Sequence, residues 1–496
     1  MKLLSPQQIH EWDAYTIEHE PVSSLNLMER AAAACTSFIL DKNLAAKSVK
    51  IFCGKGNNGG DGLAIARQLI ETGFEPVTYI LEFGARGTDD FQANLHKLNQ
   101  LTSGIYFIQS EEYFPVIDKG DIVIDALFGS GLNRPLLDLS AALVNHINQA
   151  ETTVLAIDVP SGMYIDKSCK GDTVIKATYA LTFQTTKLCF LLAENAESFG
   201  KVEVLDIGLL PQFLQEADTV FEVVDKEQVA SYIKPRENFA HKGKFGHTLL
   251  IAGNKGKMGA ALLAAKACLR SGAGLVTLNV PENSLNIVQT ALPEAMCMTR
   301  EEPAEWEKFT TIGIGPGLGT KEDAADILLQ LLQQFKKPVV LDADALNILS
   351  ENKEWLQQIP AGSVITPHPK EFERLFGRFD NEMDRLHKAI ALSHEHDFII
   401  VLKGHHTLIA YKGKGWFNNT GNAGLAKGGS GDILTGIIAA FIAQGYDGLK
   451  AAISGVYLHG LSADLALQQE SQESMLASDI IERLGEAFYE IQTGDK

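Results

Sequence analysis

The sequence predicts two α/β domains in series, each a mostly parallel sheet covered by helices. Three observations carry this. Short apolar strands alternate with helix-like stretches in two separate series, the pattern of a parallel sheet with helices on both faces. Each series holds its own glycine-rich loop at the start of a helix, Gly54–Gly62 in the first and Gly428–Gly431 in the second. At 496 residues, each half is long enough to bury a full core.

The first series opens with helical apolar spacing over 25–40 behind the polar start Ser23-Ser24. Strands follow at 49–53, 77–81, 105–108, 121–126 and 153–157, with helices at 63–71, 91–101 and 138–150. The pattern loosens over 211–245, where Pro211 and Pro235 stand, so the domains are expected to span 1–218 and 223–496. The second series predicts strands at 247–251, 275–280, 311–315, 338–341, 363–366 and 398–402. Its helices are expected at 260–271 and 322–335, with long final helices at 430–443 and 448–468. No period of 20–50 residues marks a solenoid.

The formal net charge of −19 disfavours a nucleic-acid partner, because a polyanion finds no basic surface. A phosphate-bearing ligand must then be held by backbone N–H groups, a few cations or a metal. Apolar runs such as 437–443 fall far short of the ~20 residues a membrane span needs, so no membrane role is expected. Six cysteines without a CxxC pair and acidic residues early in the chain point to reduced thiols in the cytoplasm. The histidines form no metal-binding pattern. The expected assembly is a homo-oligomer.

The first loop joins a strand to a helix. Its glycines let a ligand approach the backbone, and the helix start supplies N–H donors. Gly54, Gly56 and Gly59 also fit the dinucleotide fingerprint GxGxxG, with Glu82 near the place of a ribose-binding acid. Asn57, Asn58 and Asp61 argue against that reading, because a pyrophosphate turn does not need them. Two more strand ends carry similar residues. Asp125 leads into a glycine-rich turn, and Asp158 precedes Ser161 and Gly162. One such carboxylate is commonly a helix cap. Three strand ends together suit a cation or acid–base chemistry.

GNNGGDG, DALFGSGLNRP and AIDVPSG, read together, resemble the NAD(P)H-hydrate epimerases over about residues 9–214. The resemblance implies a Rossmann-like three-layer domain that acts on NADH or NADPH hydrated at the nicotinamide ring. It implies that Asn58, Asp125 and Ser161 hold K⁺. Asn57, Asn58, Gly59, Gly60 and Asp61 would embrace the substrate, as would Gly129, Ser130, Gly131, Leu132, Asn133, Arg134 and Pro135. Asp158 would touch the hydrated ring and is the candidate acid–base residue.

In the second half, Gly428–Gly431 would stack N–H groups against an anion, with Asp432 in the first helical turn. An aspartate there is often just a helix stabiliser. Beside a phosphate loop, it can also deprotonate a hydroxyl that attacks phosphorus. Asp342 and Asp344 offer oxygens to Mg²⁺ or a sugar. His368, between two prolines, is free to face a site. Lys403 sits in a strand–turn suited to phosphate.

GPGLG, LDADAL, TPHPKEF, VLKGHHT and NAGLAKGGSGD together resemble the ribokinase-like superfamily and, more narrowly, its ADP-dependent NAD(P)H-hydrate dehydratases, over about 223–494. The resemblance implies that Lys403, Gly404, His405, His406 and Thr407 bind ADP and Gly431 its AMP portion. Ala260, Gly317, His368 and Asp432 would contact the hydrate, with Asp432 catalytic and Mg²⁺ as the metal. The spelling GSGD departs from the commoner GTGD, but serine supplies the same hydroxyl. The alternatives are a vitamin or pyrimidine kinase fused to a regulatory Rossmann-like module, and a non-catalytic scaffold.

Overall fold

A computed structural model of the protein describes residues 1–44, 47–303 and 305–493. They form two compact units. One is Lys2–Thr219 with Asn381–Met383; the other is Val220–Asp380 and Asp384–Lys496 with Met1.

The first unit begins with two helices, α1 (Pro6–His19) and α2 (Ser24–Asp41). Ser5 caps α1 in a capping box with Gln8, which satisfies two otherwise orphaned N–H groups. The sheet consists of β1 (Val49–Cys53), β2 (Val77–Leu81), β3 (Ile105–Ile108), β4 (Ile122–Ala126), β5 (Thr153–Ile157), β6 (Tyr179–Phe183) and β7 (Lys201–Leu205). Its strands are all parallel in the order β3-β2-β1-β4-β5-β6-β7. Helix α3 (Asn57–Glu71) follows β1, α4 (Asp89–Asn99) follows β2 and α5 (Asp138–Gln149) follows β4. The order reverses between β1 and β4, and such a switch point opens a crevice at the strands' C-terminal ends. Helix α3 lies hard against this edge. A Cβ on Gly59 would fall 1.9 Å from the Gly54 carbonyl oxygen, so glycine is required for that approach.

The second unit carries β8 (Phe221–Val223), β9 (His247–Ile251), β10 (Leu275–Val280), β11 (Met296–Thr299), β12 (Thr311–Ile314), β13 (Val339–Leu341), β14 (Val364–Ile365), β15 (Ile399–Leu402), β16 (Leu408–Tyr411) and β17 (Lys414–Phe417). Their order is β8-β17-β16-β15-β14-β13-β12-β9-β10-β11. Strands β9 to β15 pair in parallel, and β15, β16 and β17 form an antiparallel extension. The helices that matter for the site are α6 (Met258–Arg270), α7 (Glu322–Gln334), α8 (Asp344–Glu351), α9 (Pro369–Phe376), α10 (Ser430–Ala443) and α11 (Gly448–Ala466). Helix α10 is buried from Ile433 to Ala443 because it is a core helix packed on α6. Gly436 permits this, since a Cβ there would meet the Ala264 carbonyl at 2.1 Å. The rigid core helix fixes Asp432 in its first turn.

Helix α11 is not the last, as the sequence reading had it. A further helix, α12 (Ala477–Thr493), buries Ile480, Ile481, Leu484, Ala487 and Ile491 against the same core. No helix of the described residues is long and apolar enough to cross a membrane. Cys35, Cys53, Cys169, Cys189 and Cys268 are free and buried, and Cys297 is free and partly buried.

Candidate active sites

In the first unit the loops after β1, β4 and β5 meet at the switch point. Asp125, at the end of β4, is fully buried. Its Oδ1 accepts from the Ser161 hydroxyl at 2.6 Å, and its Oδ2 accepts from the Ser161 N–H at 2.8 Å. Burial outweighs these bonds and pushes the Asp125 carboxyl up to about 6. Asn58 lies nearby: a Cβ on Gly129 would be 3.2 Å from both the Asn58 amide oxygen and Asp158 Oδ2. Both polar atoms of the Asn58 amide are buried without a partner. Such a group is costly unless a ligand completes it.

Asp158 stands just after β5 in a left-handed conformation, φ +67°. Its Oδ2 accepts from the Ser130 N–H at 3.0 Å, and its Oδ1 pairs with Lys187 Nζ at 2.9 Å. Lys187 is 1% exposed and also donates to Thr182 Oγ1 at 2.6 Å and to the Phe183 carbonyl at 3.0 Å. Burial alone would raise the Asp158 carboxyl, but Lys187 and the Ser130 bonds prevail and hold it below the usual range. Asp61 shows the opposite. Burial, then the charges of Asp158 and Asp13, drive it well above that range.

These groups edge a cavity of about 660 Å³ within this unit. Asn57, Asn58, Asp61 and Asp158 reach it, as does the turn Gly129–Arg134. Gly59, Gly60 and Pro135, also expected to embrace the substrate, are not among its lining residues. Gly59 packs on the Gly54 backbone, a Cβ on Gly60 would strike Met28 Sδ at 2.7 Å, and Pro135 is exposed. The fingerprint acid Glu82 is also elsewhere, paired with Lys55 and accepting from the Gly84 N–H at 2.7 Å. Sequence reading missed Asp13, His10 and Lys187, all on the cavity wall.

In the second unit, Asp342 ends β13 and is 1% exposed. Its Oδ1 pairs with Lys403 Nζ at 2.8 Å, and its Oδ2 accepts from Thr435 Oγ1 of α10 at 3.0 Å. Gly431 lies over this pair; a Cβ there would approach Lys403 Nζ to 3.4 Å. The N-cap of α10 is Gly429, φ +98°, which turns the chain so that the next N–H groups open the helix. Burial, with Asp342 second, raises the Asp432 carboxyl to about 6 despite Lys403. Ala260 and Gly317 are neighbours: a Cβ on Gly317 would lie 3.1 Å from that of Ala260. Asp344 accepts from the Gly319 N–H at 2.7 Å and pairs with Lys257 Nζ at 3.5 Å.

The backbone of His368 is extended as expected, φ −77° and ψ 166°, but its side chain is engaged. It is the N-cap of α9, and its Nδ1 accepts from the N–H groups of Lys370 and Glu371. Glu371 returns a bond to the His368 N–H at 2.8 Å, completing a capping box spelled H-P-K-E. Nε2 faces Glu371 Oε1 at 3.3 Å. Lys403–Thr407 form the turn from β15 to β16, with Gly404 and His405 exposed and Thr407 Oγ1 3.4 Å from the Gly404 N. Two residues of α11 went unnoticed in the sequence. His459, buried and pushed down to about 4 by burial and Lys403, meets Ser430 Oγ at 3.2 Å. Asp464 accepts from the Gly421 N–H at 2.8 Å and from Asn422 Nδ2 at 2.9 Å, fixing the approach to the glycine loop.

Two carboxylate sites of different design, each beyond the C-terminal ends of parallel strands, agree with what similar proteins are. Residues 248–485 match the family described as NAD(P)H-hydrate dehydratase, and residues 24–189 match the YjeF-related protein N-terminus. The bifunctional NAD(P)H-hydrate repair enzyme of Moorella thermoacetica is 34% identical over 508 aligned positions, covering 98% of this chain and 96% of its own. The chain belongs to the bifunctional NAD(P)H-hydrate repair enzymes. The Escherichia coli member is 33% identical, covering 92% of this chain and 88% of its own. A ribokinase-like superfamily protein from Enterococcus faecalis aligns with 56% of this chain and 98% of its own, at 30% identity and a TM-score of 0.51. The repair family joins an epimerase domain to a dehydratase domain in one chain and acts on small nucleotide substrates, so the kinase and scaffold readings fall away.

Proposed function

We propose that residues 1–218 interconvert the R and S hydrates of NADH and NADPH, and that residues 223–496 dehydrate the S hydrate while splitting ADP to AMP and phosphate. The observation that carries this is the state of Asp432, a carboxylate raised to about 6 at a glycine-lined helix start. Such a group is a base near neutrality placed where phosphate binds.

Hydroxide is a poor leaving group. Asp432 takes the proton of the ring hydroxyl, whose oxygen attacks the terminal phosphorus of ADP. The P–O bond to AMP breaks and AMP departs. The carbon–oxygen bond then breaks with its electrons on phosphate, helped by the ring nitrogen's lone pair, and loss of a ring C–H proton restores the reduced ring. Gly431 and Lys403–Thr407 cradle the nucleotide; Ala260, Gly317 and His368 contact the hydrate. Mg²⁺ would come in on the phosphates of ADP and offset their charge; among the described residues no three carboxylates are grouped to hold it by themselves.

In the epimerase half, Asp158 is the acid–base residue, and Asn57, Asn58, Asp61 and the turn Gly129–Arg134 hold the substrate. The orphaned amide of Asn58 with Asp125 and Ser161 is an oxygen donor set that fits K⁺. These three would hold the ion, which would anchor the loops by charge. The free, mostly buried thiols support a cytoplasmic setting. The same reading includes a homo-oligomer, which light scattering checks.

A stereochemically resolved assay of both hydrates, with and without ADP, tests this reading. Both hydrates should be consumed with ADP, and they should only interconvert without it. Phosphorylation of a vitamin alcohol with no recovery of reduced-cofactor absorbance would overturn it.

A further inference from the structure

Helix α1 places one acid among apolar residues on the epimerase cavity. Ile9, Asp13 and Ile17 recur every four residues and all line the cavity. Asp13 makes no hydrogen bond or ion pair with another described residue. An unpaired, largely buried carboxyl on an otherwise apolar stripe costs stability and contributes nothing to packing. Asp158 lines the same cavity, and its oxygens are committed to Lys187 and the Ser130 N–H. Lys187 is itself saturated by Thr182, Phe183 and Asp158, so it has no proton left to offer a substrate.

We propose that Asp13 is a second catalytic residue of the epimerase centre, working with Asp158 in the same cavity, and that Lys187 is the positioning residue that fixes Asp158. The inference rests on the reading of Asp158 as an acid–base residue. Inversion at the hydrated carbon needs two faces. On one face a proton passes from Asp13 to the hydroxyl; the carbon–oxygen bond breaks, water leaves, and the ring nitrogen's lone pair forms a C=N⁺ bond. On the other face water adds to that carbon, the C=N electrons return to nitrogen, and Asp158 takes the water's proton. Atoms and charge balance, and solvent returns the proton from Asp158 to Asp13. The reverse direction exchanges the roles.

The surroundings of Asp13 suit this. Burial and then the Asp158 charge raise it to about 6, opposed by His10 on its own helix and by Lys187. Asp61, on α3, faces it and is driven well above the usual range. A group titrating near neutrality passes protons in either direction with little cost.

The test uses the full chain without ADP, following interconversion of purified hydrates. Asp13→Asn should lower kcat about 100-fold or more with little change in KM. Asp13→Ala should regain activity when formate is added, a rescue that a structural role does not give. In the parent, turnover should fall as pH rises through about 6, because the donor is lost, and Asp13→Asn should abolish that limb. Thermal melts show that each variant is folded, and either variant alone decides. Interconversion by Asp13→Asn within threefold of the parent, about the noise of a single-site change, overturns the inference. If Asp158→Asn is inactive at the same time, the reading of Asp158 survives. If Asp158→Asn is also active, that reading fails as well.

Discussion

Each unit holds a lysine–aspartate pair beyond the C-terminal ends of its strands, at 2.9 Å in the first and 2.8 Å in the second. They do opposite things. Lys187 bonds the functional carboxylate itself, so Asp158 stays charged and low. Lys403 bonds a neighbour, Asp342, which is also tied to Thr435. Asp432 is raised to about 6, first by burial and then by the Asp342 charge. Burial acts on both Asp158 and Asp432; a direct lysine bond overcomes it at Asp158, and the more distant Lys403 charge does not at Asp432.

The largest expected effect is at Asp432. Asp432→Asn should cut ADP-dependent dehydration by about 10²–10⁴-fold and leave hydrate interconversion at its normal rate, read by the two-hydrate assay. Equal loss of both activities would break the contrast between the sites. Next comes Lys187→Met, which strands the Asp158 charge. Removing one partner of a buried pair costs about 3–5 kcal/mol, so the first unit should melt lower in a denaturant titration while epimerisation collapses. Because Lys187 holds Asp158 low, the stability this pair gives is present above the ordinary aspartate pKa and is lost as pH falls through the depressed value. An unchanged melt from neutral to acid would deny the pair that role.

A smaller, graded effect follows from pH. Asp432 works as the carboxylate, so dehydration should weaken as pH falls through about 6. Its raised value also means that its contribution to stability is present below the ordinary aspartate pKa and lost as pH rises through about 6. Turnover measured across this range should therefore fall while the second unit becomes no less stable from this group. The smallest effect is at Gly317, φ +62°, where a Cβ would meet the Lys257 carbonyl at 2.9 Å and the Ala260 side chain at 3.1 Å. Gly317→Ala should destabilise by more than about 1 kcal/mol and raise KM for the hydrate, with kcat nearly unchanged.

What the sequence disclosed follows from physics. The central parallel strands are continuous apolar runs ending in glycine or aspartate, so β1, β4, β5, β9 and β13 were legible. Edge and late elements were not. Strand β7 has no buried residue, so its sequence lacks an apolar run. The hairpin β16–β17 had a signal that went unused: Lys412-Gly413 between apolar strands, with φ of +48° and +78°, is a two-residue turn. Helix α1 was missed because Asp13 interrupts its apolar stripe, which is the mark of a site residue rather than a core one. The motif aspartates were visible because glycine surrounds them. Lys187 was invisible, since its meaning comes from a contact 29 positions back in the chain. The prolines around His368 do leave its backbone extended, and the helix start is also signalled there, by proline at the first helical position of α9.

Helix α1 also bears on how the protein is made. Trp12 Nε1 donates to the Leu210 carbonyl at 2.7 Å, and Thr16 Oγ1 accepts from the Leu210 N–H at 3.1 Å. The hydrogen-bond partner of Trp12 is therefore synthesised 198 residues after it. At ribosomal speeds of 5–20 residues per second, α1 waits about 10–40 s before it can dock. A lone 14-residue helix is marginal in water. For that interval only α2, through Leu27 and Ala31, is at hand to cover the apolar face around Trp12.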